Sequence, residues 1–183
     1  MKHRGFTLVE LLIVIVVIGV LSAMMMLSST EAVSSAEAAK VISNMRNLKT
    51  AVLEWYADNL DRVKIDTDKH PKIFSKDGTS KQIFPDFTGS PAGKAEILKY
   101  LNDASFTLAS KSTNKAGEYI VADVNWTTWY VFYNLDGKAK LKEKLASRAK
   151  SLGLKGNDSI GNIDKTKDYT NEKYVMLPIL ELE

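Results

Sequence analysis

The hydrophobic positions of this 183-residue chain follow three successive spacings. The run Phe6–Leu27 is apolar apart from Thr7, Ser22 and one acid, Glu10; its 22 residues would make about 33 Å of helix, enough to cross a hydrocarbon core of about 30 Å. Val41, Met45, Leu48, Val52 and Tyr56 then recur at steps of four, three, four and four, with Ile42 and Trp55 flanking them. Ser43, Arg46, Lys49, Thr50 and Glu54 take the other side, as in an amphipathic helix. Ser28-Ser29-Thr30-Glu31 resembles a helix start, so a second helix could begin there, but continuation of the first is favoured. The third spacing is that of strands, in Phe106–Leu108, Glu118–Val124 and Thr127–Tyr133, rich in β-branched and aromatic residues, with Asn125-Trp126 as a turn.

Between and after these elements the pattern is less regular. Residues 59–91 read as loop, with His70-Pro71, Asp77-Gly78 and Gly89-Ser90-Pro91 as turn signals. Ala92–Leu101 reads as a short helix, and Lys138–Leu152 as another with Ala139, Leu141, Leu145, Ala149 and Leu152 on its apolar stripe. Gly153–Asp168 reads as loop and Lys173–Ile179 as a last strand, limited by Pro178 to a sheet edge or ended by it. The expected fold class is α+β: a long N-terminal helix, half membrane-spanning and half amphipathic, packed on an antiparallel sheet. Trp126, Trp129, Tyr130, Phe132 and Tyr133 are expected to fill the core against Val41, Leu48 and Val52. The expected divisions are residues 1–5, 6–27, 28–60 and a head over 61–183.

Charge orients the first segment. Lys2 and Arg4 precede it without an acid beside them, so the positive-inside rule places the N-terminus in the cytoplasm and the head outside. A secretory signal peptide also has this charge pattern, and Ala36-Glu37-Ala38 has the small-x-small form of its cleavage site. That tripeptide lies well past the apolar run, which is itself longer than the usual h-region. A plain membrane anchor fits the length but leaves Glu10 without a purpose. A carboxylate in such a segment costs roughly 2.5–3.5 kcal/mol at the bilayer centre and less near its edge.

Gly5-Phe6-Thr7-Leu8-Val9-Glu10-Leu11-Leu12-Ile13-Val14-Ile15, with Gly19 beyond, resembles the N-terminus of type IV pilins and the pseudopilins of type II secretion. The resemblance implies a pilin-like fold, cleavage by a prepilin peptidase between Gly5 and Phe6, N-methylation of Phe6, and subunit assembly through Glu10. Its implied partners are identical or related pilin subunits in a helical polymer, an inner-membrane assembly platform and the membrane. Its implied location is the bacterial inner membrane as a single-pass precursor, then an extracellular pilus or a periplasmic pseudopilus. The leading expectation is a structural pilus subunit; a type II secretion pseudopilin and a DNA-uptake (competence) pilin are the alternatives. Many type IV pilins have proline where this chain has Leu27, which puts the family's helix kink in question here.

The remaining chemistry is sparse. Two histidines, no cysteine and no phosphate loop support neither catalysis nor a cofactor, so no enzyme activity is expected. Removing Lys2 and Arg4 leaves 23 basic against 22 acidic residues, a net charge of +1. Locally, Lys138, Lys140, Lys142, Lys144, Arg148 and Lys150 face a single acid, Glu143, which suggests either a solvated face or a polyanion site for acidic lipid or nucleic acid. Asp158, Asp164 and Asp168 are candidate calcium ligands by residue type and by the resemblance to pseudopilins, although their spacing is not that of an EF-hand.

Overall fold

The computed structural model describes residues 6–60, 63–65, 71–73, 87–101, 107–124, 128–161 and 163–181. Helix α1 runs without interruption over Leu8–Asp58, 51 residues. The helix start weighed at Ser28–Glu31 is not used: Thr30 Oγ1 donates to the Met26 carbonyl at 2.9 Å and Ser34 Oγ to the Thr30 carbonyl at 2.9 Å. These hydroxyls bond back to the preceding turn, which satisfies them inside a helix instead of at a cap. The helix therefore continues past the Leu27 position.

The second half of α1 packs on a sheet. Strands β1 (Val63–Ile65) and β2 (Pro71–Ile73) form a small antiparallel pair, and helix α2 (Pro91–Leu98) follows, capped by Ser90 Oγ on the Gly93 amide. Strands β3 (Tyr119–Val124) and β4 (Thr128–Asn134), helix α3 (Ala139–Leu152), and strands β5 (Lys155–Asn157) and β6 (Tyr174–Glu181) complete the chain. The main sheet is four-stranded and antiparallel, in the order β3-β4-β6-β5. The expected α+β architecture is thus the one observed.

Val41, Met45, Leu48 and Val52 are buried as the spacing predicts, but Trp55, not Tyr56, completes the stripe with no exposed surface. The last step is three residues, which keeps the stripe on one face of a 3.6-residue helix. Trp55 meets Phe87 edge to face at 4.8 Å, and Trp129 lies 6.4 Å from it. The Trp55 indole N–H donates to Glu96 Oε2 at 3.0 Å, giving its polar end a partner at the edge of the core.

The aromatic residues of β4 do not all face α1. Trp129, Val131 and Tyr133 pack with the helix, whereas Tyr130 and Phe132 join Ile120, Ala122, Val124, Tyr174 and Met176 on the other face, under Ile160 and Ile163. Alternation of side chains along a strand requires this division. Both faces are covered, so β3 and β4 are buried along their whole lengths.

Three further expectations change. Leu108 makes only an isolated bridge to Tyr119, not a strand, and Phe106 lies outside the described residues. The loop expected after Gly153 contains β5, which pairs with Tyr174–Met176. Consequently β6 is interior at its start, and Pro178 lies beyond the reach of β5, at a bulge where Trp129 pairs Leu180 and Tyr130 pairs Pro178. The Asn125-Trp126 turn, the Trp126 side chain and most of the 59–91 loop lie outside the described residues.

Candidate functional site

The N-terminal part of α1 touches nothing of the head. From Phe6, 85% exposed, to Met26, 79% exposed, its large apolar side chains are all open, and the packed part begins near Ser34 and Ala38. Among the described residues, α1 is the one helix long and apolar enough to cross a membrane.

A capping box starts this helix. Thr7 is the N-cap; the Glu10 amide donates to Thr7 Oγ1 at 3.3 Å, while Glu10 Oε2 accepts from the Thr7 amide at 2.8 Å and from Thr7 Oγ1 at 2.7 Å. Each residue thereby satisfies a donor that the first helical turn leaves open, and the acid stands where the helix dipole favours negative charge. Sequence reasoning assigned Glu10 but missed Thr7. The signal was present as Thr7-Leu8-Val9-Glu10 ahead of an apolar run. Phe6 lies immediately before this cap, and Gly5 lies outside the described residues.

Residues 1–26 match the prokaryotic N-terminal methylation motif. The chain carries the prepilin-type signal of type IV pilins and pseudopilins. The match covers the capping box and the exposed apolar stretch and ends before the head. Comparisons with curated proteins and with solved structures find no match.

The prepilin-type helix is fastened to the head by charge as well as by the core. Lys138 Nζ pairs with Glu37 Oε1 at 2.6 Å and also reaches the Tyr133 hydroxyl at 3.3 Å. Burial opposes the Lys138 charge, but the Glu37 carboxylate and Tyr133 outweigh it and hold the ammonium's pKa above its ordinary value. Lys144 Nζ meets Glu31 Oε1 at 3.4 Å, one helical stretch closer to the apolar end of α1. Lys49 Nζ donates to the Pro178 carbonyl at 2.8 Å, tying the C-terminal part of α1 to β6.

The cysteine-free C-terminal region is held by a buried carboxylate, Glu172. Its Oε2 accepts from the Thr170 amide at 2.8 Å and the Asn171 amide at 3.0 Å; Oε1 accepts from Thr170 Oγ1 at 2.8 Å and pairs with Lys167 at 2.6 Å. Burial works against its charge, but Lys167 and the Thr170 donors prevail and lower its pKa to about 2. The neighbouring Gly156 has no β-carbon for a reason: one built there would fall on the Glu172 carboxylate and against the Tyr169 ring.

The three aspartates singled out as calcium candidates have separate partners. Asp158 Oδ1 accepts from the Lys173 amide at 2.9 Å, and Asp168 Oδ1 pairs with Lys155 at 2.8 Å. Asp164 Oδ1 accepts from the Thr166 hydroxyl and amide, which lower its pKa. Among the described residues no group of three acidic, His or Cys side chains is gathered as a metal site would need.

Proposed function

We propose that this protein is the structural subunit of a type IV pilus. The precursor spans the inner membrane once with its N-terminus in the cytoplasm, is cut between Gly5 and Phe6, is methylated at Phe6, and polymerises through α1. One observation carries the reading: a chain with a methylation motif over residues 1–26 leaves the same stretch of α1 exposed and apolar on all sides. Such a helix needs lipid or other helices around it. The precursor finds the first and the filament supplies the second.

Cleavage would free an α-ammonium at Phe6, at the positive end of the helix dipole, where it is disfavoured without an acid nearby. Glu10 of a neighbouring subunit supplies that acid, and its capping bond to Thr7 holds the carboxylate at the helix start until it is needed. Removing one member of such a desolvated pair typically costs 3–5 kcal/mol, so Glu10 sets the register in which subunits meet. Glu10→Ala is therefore expected to leave precursor insertion and head folding intact while abolishing filaments. Filaments at normal abundance from that variant would refute the assignment. Electron microscopy separates the pilus from a pseudopilus, because the first predicts long surface fibres and the second short periplasmic ones.

A further inference from the structure

Helix α3 lies beside the part of α1 that emerges from the apolar segment. Lys144 reaches Glu31, only four residues past Leu27, or about 6 Å of helix. Lys138, at the start of α3, reaches Glu37 instead, so the chain from Lys138 to Lys144 advances toward the apolar end of α1. Lys140, Lys144 and Arg148 stand at steps of four and form one stripe along α3. Lys142 points elsewhere, to the Asn171 carbonyl at 3.2 Å. Lys140 and Arg148 are exposed and have no ion-pair partner among the described residues; Ser147 and Ser151 lie beside them, and Glu143, three residues after Lys140, is the single acid of α3 and shares its exposed face.

From this placement we infer that the Lys140–Lys144–Arg148 stripe of α3 docks on anionic phospholipid headgroups while the subunit is in the membrane. The inference rests on residues 6–27 spanning a bilayer, as proposed above. A spanning α1 sets its Glu31 at the headgroup level, and the stripe that holds Glu31 then faces the lipid surface. The occupant fits by charge: two free cations and a third only partly neutralised meet phosphate at a distance well inside the Debye length. Each cation at an anionic surface is worth about a fivefold factor in association. The contact would fix how the head sits before the subunit is drawn into a filament, and it would be lost on extraction.

The test uses the full chain reconstituted in neutral phosphatidylcholine vesicles and in vesicles also containing phosphatidylglycerol. The chain has no cysteine, so Ser147→Cys offers a unique position for a fluorophore. Quenching by nitroxide-headgroup lipid is expected to rise at least threefold in the anionic vesicles, and to return to the neutral value in high salt and in K140Q/R148Q. Flotation with both vesicle types reports the spanning segment independently. Flotation with equal quenching in the two compositions overturns the lipid site alone, whereas no flotation with either overturns the spanning reading and the site with it. Retention of duplex DNA by the neutral proteoliposomes, lost in K140Q/R148Q, with no response to anionic lipid, would reassign the stripe to nucleic acid and overturn the inference.

Discussion

Replacing Glu172 by Gln removes the charge on which the C-terminal region converges while keeping its size. The carboxylate is 6% exposed and ionised down to a pKa of about 2, against 4.5 for the free side chain. A lowered pKa means that the folded state prefers the charged form, so the stabilisation is complete above about pH 5 and is lost as pH falls through 4.5 toward 2. The lowering from 4.5 to about 2 corresponds to at most about 3.4 kcal/mol, and the half-exposed Lys167 partner reduces this to roughly 2 kcal/mol. For a protein of this size that is about 4–8 °C in melting temperature. Thermal unfolding of the full chain in detergent, followed by near-UV circular dichroism, is expected to show Glu172→Gln melting lower by that amount at pH 7. Most of the difference should vanish by about pH 2.5, and because other carboxylates titrate alike in both proteins, the difference isolates this one. An unchanged gap from pH 7 to pH 2.5, or none at pH 7, would refute the role given to the charge.

Gly156→Ala places a methyl group against Glu172 and Tyr169 and is expected to destabilise the head by about 1–3 kcal/mol, measured by denaturant titration. Trp55→Ala leaves a cavity between α1 and the sheet and should cost about 3–5 kcal/mol, with loss of the near-UV tryptophan signal at lower denaturant. Thr7→Ala removes the helix N-cap at a cost of about 1 kcal/mol, and filament yield should fall while Thr7→Ser restores it.

The parts of the fold visible in the sequence were those with a period. The amphipathic stripe from Val41 to Val52 and the dense β-branched and aromatic runs of β3 and β4 give strong local signals, because burial imposes them, on one face of the helix and on both faces of the strands. The division of the β4 aromatics between two faces also follows from strand periodicity, yet it shows only once Ile160 and Ile163 are known to cover the far side. Strand β5, Lys155-Gly156-Asn157, has no such signal: it is three residues long and polar, and pairing with β6 defines it. Glu172 was invisible for the same reason, since its donors come from a loop whose path only the fold supplies. At the N-terminus the opposite held. Glu10 stood out as an acid in an apolar run, and Thr7 was legible three residues before it as the other half of a capping box.

The central claim, processing into a filament subunit, is tested most directly by mass spectrometry of the mature N-terminus in filaments sheared from cells. The account predicts a chain that begins at Phe6 and carries one methyl group on its α-nitrogen. A chain that retains Met1 or begins near Glu37 or Ala39 would contradict it.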